Sequence, residues 1–202
     1  MMTTEELQII IDQGEKAKVD FKREWYQKED LKGEFVKDML ALANGDVDSI
    51  DKTAYLIIGV EDENKKFFNF KVPNIGMPNK FIKELLQNLN NYSQAEFLYL
   101  EMEGIEYDGG DVLVFSVKPH GRLISLSKDL KLKNGTDKKG TVYYRVGESI
   151  RVASADVIKD FEKAFAEKSS NSGTTINIHG DVNGIANVSG GTVTQTLSFT
   201  KS

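Results

Sequence analysis

Residues 54–60, Ala54-Tyr55-Leu56-Ile57-Ile58-Gly59-Val60, form an apolar run that ends at Glu61-Asp62. Such a run, rich in β-forming side chains and without polar alternation, predicts a central strand covered on both faces. Upstream, residues 17–25 alternate instead, with Val19 and Phe21 on one side and Asp20 and Lys22 on the other. That pattern predicts a half-buried strand with Asp20 at an outward position. Between the two runs, Asp30 is placed to cap a helix. Leu31, Phe35, Met39, Leu40 and Leu42 are spaced along it to face a core, and Asn44-Gly45 closes it.

Further outward, Thr3 followed by Glu5 and Glu6 has the form of a helix start. Leu7, Ile10 and Ile11 make its apolar stripe, and Gly14 stops it. Downstream of the central strand, Phe67, Phe68 and Phe70 predict a short strand. Pro78 opens an amphipathic helix carrying Phe81, Leu85, Leu86 and Leu89. Strands over 97–107 and 112–117 flank the turn Asp108-Gly109-Gly110-Asp111. A further strand covers 140–146, and Ser154 caps a helix bearing Val157, Ile158, Phe161 and Phe165. The expected fold class is α+β, a mixed β-sheet with flanking helices.

Three segments follow: a domain over 1–168, a polar linker over 169–173, and a tail over 174–202. The tail interleaves Ile176, Ile178, Val182, Ile185, Val188 and Val193 with Gly, Asn and Thr. It reads either as low-complexity chain or as very short strands with glycine turns that cannot bury their apolar face alone. The second reading predicts homo-oligomerisation through residues 174–197.

Composition narrows the chemistry. The 202 residues contain no cysteine, which removes disulfides, thiolate nucleophiles and zinc–cysteine sites. The two histidines, His120 and His179, leave Ser-His-Asp triads and histidine-rich metal sites poorly supplied. The N-terminus is acidic and has no signal-peptide h-region, and no apolar run reaches membrane-spanning length. A cytoplasmic protein without membrane partners is expected. A net charge of −5 argues against a surface coated with nucleic-acid-binding lysines. A local basic groove is compatible with it, because salt confines surface fields to about 8–10 Å.

The acidic residues are more telling. Glu15, Asp20 and Asp62 stand in two phrases, 14–23 and 55–62, beside buried β-type residues. Oxygen ligands in such a setting suit Mg²⁺ or Mn²⁺ and phosphate chemistry. Taken singly, each has an ordinary reading: Glu15 in a solvated turn, Asp20 outward on a strand, Asp62 in an Asx-turn. Asp46, Asp48 and Asp51 lack the glycine and distal glutamate of a calcium loop and read as a polar surface turn. The lysines of 128–139 read as an exposed hairpin, and nucleotide hydrolysis has no P-loop to support it.

Taken together, the phrases resemble the Schlafen AlbA_2 domain over roughly residues 10–165. Glu15 stands at the family's first acid and Asp20-Phe21-Lys22 at its Glu-Phe-Lys. Leu42-Ala43-Asn44 stands at its helix end and Gly59-Val60-Glu61-Asp62 at its strand end. Tyr143-Tyr144-Arg145-Val146-Gly147-Glu148-Ser149 is similar to its closing phrase. Two departures accompany the likeness. Asp20 draws the second carboxylate back by one methylene, and the family's Gly-Gly is replaced by the longer 45–52 segment.

The resemblance implies metal-dependent cleavage of structured RNA such as tRNA. Glu15, Asp20 and Asp62 would act as catalytic residues and ligands of Mg²⁺ or Mn²⁺. Lys22, Arg23, Lys118, Arg122 and Arg145 would be the nucleic-acid contacts. It suggests a toxin-like role in defence against phage. The alternatives are a non-catalytic DNA- or RNA-binding regulatory module and a self-assembling scaffold or sensor acting through the tail.

Overall fold

The central run becomes β2 (Ala54–Ile58), and it lies inside a four-stranded sheet. The computed structural model describes residues 2–26, 33–70, 78–94 and 100–171. On one side β2 pairs in parallel with β1 (Val19–Lys22), and on the other it pairs antiparallel with β4 (Gly110–Val117). β3 (Leu100–Tyr107) closes the far edge against β4. A parallel pair needs a crossover. Here it is α2 (Glu34–Asn44), with Gly33 rather than Asp30 at its N-cap. The architecture is therefore α+β, a mixed sheet with flanking helices.

Helix α1 (Thr4–Gln13) begins with a capping box in which Thr3 and Glu6 satisfy each other's backbone N–H groups. Its Leu7 and Ile11 pack on Phe21, Ile57, Ile105, Val112 and Val114, one face of the sheet. The opposite face, with Leu56, Ile58 and Phe115, is covered by α2 and by α3 (Pro78–Tyr92). Alternation along β1 thus sends Phe21 toward α1 and Asp20 and Lys22 toward α2. The outward position expected for Asp20 does not exist, because both faces are covered and Asp20 is only 4% exposed.

The β3–β4 hairpin turns at Asp108 and Gly109, both with positive φ, as a two-residue turn of the favoured twist requires. Two small hairpins follow. One pairs β5 (Leu130–Leu132) with β6 (Gly135–Asp137), and the other pairs β7 (Tyr143–Val146) with β8 (Ser149–Val152). The strand expected over 140–146 is thus confined to its last four residues. The lysine-rich segment forms the first hairpin, as its composition suggested, with Lys138 paired to Asp129 at 2.8 Å.

The three phenylalanines after β2 do not build a strand of their own. Phe67 forms a single bridge with Val60, and the Phe70 ring lies close against Gly59. A Cβ at Gly59 would stand 2.4 Å from that ring, and its φ of +98° is also one that only glycine adopts easily. These rings serve as a cover for the end of the sheet.

Helix α4 (Ala155–Asn171) starts at the expected Ser154 and continues three residues into the stretch read as a linker. It is tied to the 46–52 turn by Lys168 and Asp51, 2.6 Å apart. Residues 172–202, with the expected oligomerisation strip, lie outside the described residues.

One buried polar residue joins these parts. The Asn44 side chain donates to the carbonyls of Ile124 (2.9 Å) and Tyr143 (2.7 Å) and accepts from Ile124 N (2.8 Å). It fixes the end of α2, the segment after β4 and β7 to one another. Lys18 caps the same helix end through Ala43 O at 2.7 Å. Burial pulls its ammonium down to about 8.

Candidate functional site

The site forms where β1, β2 and the β7–β8 hairpin meet. Glu15 follows the glycine that stops α1, and its Oε1 accepts the Phe21 N–H at 2.6 Å. Asp62 is in the turn that leaves β2. Glu148 occupies the two-residue tip between β7 and β8, next to Gly147. One carboxylate oxygen from each of Glu15, Asp62 and Glu148 lies within 4.8 Å of the others. Oxygens sharing a divalent ion at 2.0–2.6 Å fall within about that separation. Glu15 is half-buried, whereas Asp62 and Glu148 are open to solvent.

Asp20 is excluded from this group by its own partners. Its Oδ1 accepts from Arg145 Nη1 at 2.9 Å, and its Oδ2 meets Lys22 Nζ at 2.7 Å. Lys22 also reaches Asp38 Oδ2 at 3.5 Å, and the Tyr26 hydroxyl donates to that same oxygen at 2.6 Å. The result is a charged layer sealed between the sheet and α2. Burial draws the Lys22 ammonium down, but Asp38 and Asp20 together outweigh it and hold it above the usual lysine range. Burial raises Asp38, Lys22 opposes the rise, and Asp20 adds to it.

Arg145 joins the sealed layer to the open cluster. Its side chain is fully buried, with Nη2 3.8 Å from Glu15 Oε2 and donating to the Glu148 carbonyl at 2.9 Å. The same guanidinium that neutralises Asp20 therefore fixes the backbone carrying the third carboxylate. Glu15 feels both neighbourhoods. Burial and the Asp20 charge push its carboxyl up to about 7, against the Phe21 N–H and Arg145, which favour the anion.

The family profile described as Schlafen, AlbA_2 matches residues 15–154, from the first acid of the cluster to the residue that caps α4. The chain belongs to the Schlafen AlbA_2 family. Membership points to a nucleic-acid-related function and a nucleic-acid partner. No curated protein matches the chain. Among solved structures it is similar to the DIP2311 protein from Corynebacterium diphtheriae. That similarity has 16% identity and a TM-score of 0.48, and it covers 78% of this chain and 27% of that one. The chain thus spans about a quarter of that protein's length.

Against the Schlafen AlbA_2 pattern, the structure brings Glu15 and Asp62 together but places Asp20 behind them. Glu148 takes the third place in the open cluster. It stood inside the closing phrase, yet only tertiary docking of a hairpin tip locates it, so spacing along the chain carried no signal. Lys65 was also missed. Its ammonium contacts Asp62 Oδ1 and lies 4.9 Å from the centre of the Phe21 ring.

The expected nucleic-acid contacts divide. Arg145 has no surface to offer a phosphate, because Asp20 and the Glu148 carbonyl consume it inside the protein. Lys22 is one-third exposed at the border of the sealed layer. Arg23 is open beside the cluster, stacked on the Phe68 ring at 4.1 Å and 3.4 Å from Glu61 Oε1. Lys118 is exposed near Glu101 at 3.5 Å. Arg122 lines a separate cleft of about 540 Å³ between α4 and the segment after β4. Among the described residues, no helix is long and apolar enough to cross a membrane.

Proposed function

We propose that the protein is a divalent-metal-dependent endoribonuclease acting on structured RNA such as tRNA, with Mg²⁺ or Mn²⁺ held by Glu15, Asp62 and Glu148. The observation that carries this reading is the convergence of one oxygen from each of the three within 4.8 Å. The donor set fits a hard cation: all oxygen, two of three open to solvent, and one carboxyl pushed up to about 7 by burial and the neighbouring Asp20 charge. A divalent ion bound there would supply Lewis acidity at a phosphate oxygen and lower the pKa of a bound water. Glu15 would orient the group through its bond from Phe21 N–H, and Arg145 would keep the Glu148 backbone in place. Arg23 and Lys22 would meet the RNA backbone as point charges.

Asp20 enters this proposal as a positioning residue, a change from its expected role as ligand. With one methylene less than the family's Glu, it ends in the Arg145 guanidinium. A role in phage defence, and self-association through residues 174–197, extend the proposal on family setting and tail composition. An unchanged number of subunits in light scattering after removal of 172–202 would count against the second.

A competing reading is a non-catalytic RNA- or DNA-binding module. It is favoured by Lys65, which already neutralises Asp62. The test incubates tRNA with wild type and with Glu148→Gln, each with and without Mn²⁺. Cleavage by wild type alone, and only with metal, is the expected outcome. RNA binding without cleavage by either protein selects the binding module.

A further inference from the structure

The turn after β2 contains a backbone feature that the cleavage chemistry leaves unexplained. Lys65 sits at φ +58°, the left-handed region that a long side chain seldom occupies. Three hydrogen bonds hold the turn there. Lys65 N donates to Glu61 O at 2.9 Å, Glu61 N donates to Lys66 O at 3.0 Å, and the Tyr107 hydroxyl donates to Lys65 O at 2.6 Å. The last reaches across 42 residues from the end of β3. This fixed backbone directs the Lys65 side chain back over the sheet end. Its ammonium contacts Asp62 and lies over the Phe21 ring, and a Cβ built on Gly14 would stand 3.5 Å from it. Gly14 and Phe21 flank Glu15 in sequence and in hydrogen bonding, so the ammonium borders the carboxylate cluster.

We infer that Lys65 is a tethered counter-cation that occupies the Asp62 position of the cluster until a divalent ion displaces it. The inference rests on the metal-site reading above and concerns how that site is loaded. Three carboxylates brought together repel one another, and a nearby cation relieves part of that repulsion in the free protein. Arg145 is already committed to Asp20, at 2.9 Å against 3.8 Å to Glu15. Among the described residues, Lys65 is the basic side chain paired with an open member of the group. A metal taking the Asp62 oxygens must break that contact, so metal affinity contains the cost of releasing Lys65. The strained, over-determined turn is what keeps this competitor in place.

Isothermal titration of Mn²⁺ into wild type, Lys65→Met and Lys66→Met at one ionic strength and pH tests it, with no RNA present. Lys66 carries the same charge one residue on and is exposed, and its backbone N–H donates to Asn64 Oδ1. Lys65→Met should bind Mn²⁺ tighter by on the order of fivefold, the worth of an exposed ion pair. Lys66→Met should match wild type. Equal tightening in both variants would reduce the effect to bulk charge and overturn the inference, as would an unchanged or weaker Lys65→Met. Binding that is lost in Glu148→Gln but unaltered in Lys65→Met removes the inference and leaves the metal site standing. Absence of Mn²⁺ binding to wild type and Lys65→Met alike removes both. Lys65→Gln, run beside Lys65→Met and checked by circular dichroism, separates charge loss from damage to the fold.

Discussion

Two groups of carboxylates lie on either side of Arg145, and they are built to opposite rules. In the sealed layer, Asp20 and Asp38 are withdrawn from water, and each finds a cation or hydroxyl donor within 2.9 Å. In the open cluster, Glu15, Asp62 and Glu148 face one another with less positive charge than they carry negative. Burying an unpaired charge costs several kcal/mol, so the first group cannot lose a partner without cost to the fold. Exposed carboxylates bear their repulsion through water and salt, so the second group is free to serve a ligand. The difference separates residues that hold the site from residues that act in it.

The severest way to break this contrast is Arg145→Met. It strips Asp20 Oδ1 of its guanidinium partner and releases the Glu148 carbonyl. A loss of about 3–5 kcal/mol in urea unfolding is expected. Asn44→Ala should follow at about 3 kcal/mol, since three buried backbone groups would lose their partner. Asp20→Glu adds a methylene to a filled space and should cost about 1–3 kcal/mol, despite restoring the family's residue. A neutral or stabilising Asp20→Glu would show that the sealed layer has room for the longer acid and would reopen Asp20 as a ligand.

The open cluster should answer in the other currency. Asp62→Asn and Glu148→Gln should shift stability by only about 0.5 kcal/mol or less, while Mn²⁺-dependent RNA cleavage falls on the order of 100-fold. The smallest effect sharpens the boundary between the groups. Glu15 has a folded-state pKa of about 7 against an ordinary 4.5, so the folded protein holds its proton over a range where the unfolded chain has lost it. Its contribution to stability is therefore present below pH 4.5 and declines as pH rises to about 7. Glu15→Gln should flatten the fall of stability across that window, measured by urea unfolding at stepped pH. An identical slope in wild type and variant would show that Glu15 titrates normally.

Most of the fold was legible because it follows local rules. Thr3 followed by Glu5 and Glu6 announces a helix start, Asp108-Gly109 a tight hairpin, and the apolar run of β2 a strand covered twice. The site was legible only in part. Glu15 and Asp62 sit at element ends, where glycine and strand termination mark them. Asp20 was misplaced because alternation predicts which face a side chain takes but not whether that face is covered. Glu148 and Lys65 belong to turns whose position depends on packing against residues far along the chain. Phe67, Phe68 and Phe70 show the reverse error, aromatic rings read as a strand when their task is to cap one.

Arg145 follows Asp20 by 125 residues, and this separation has a consequence for the order of events during synthesis. A ribosome delivers β1, α2 and β2 long before the β7–β8 hairpin. Until that hairpin arrives, Asp20 lacks its guanidinium and the cluster lacks Glu148. The early half of the chain therefore cannot finish its charged interior, and a nascent fragment presents no assembled site. On the proposed reading, competence to act on RNA would be gained only when the last hairpin docks, so the protein would emerge from the ribosome, beside its own messenger, still unarmed.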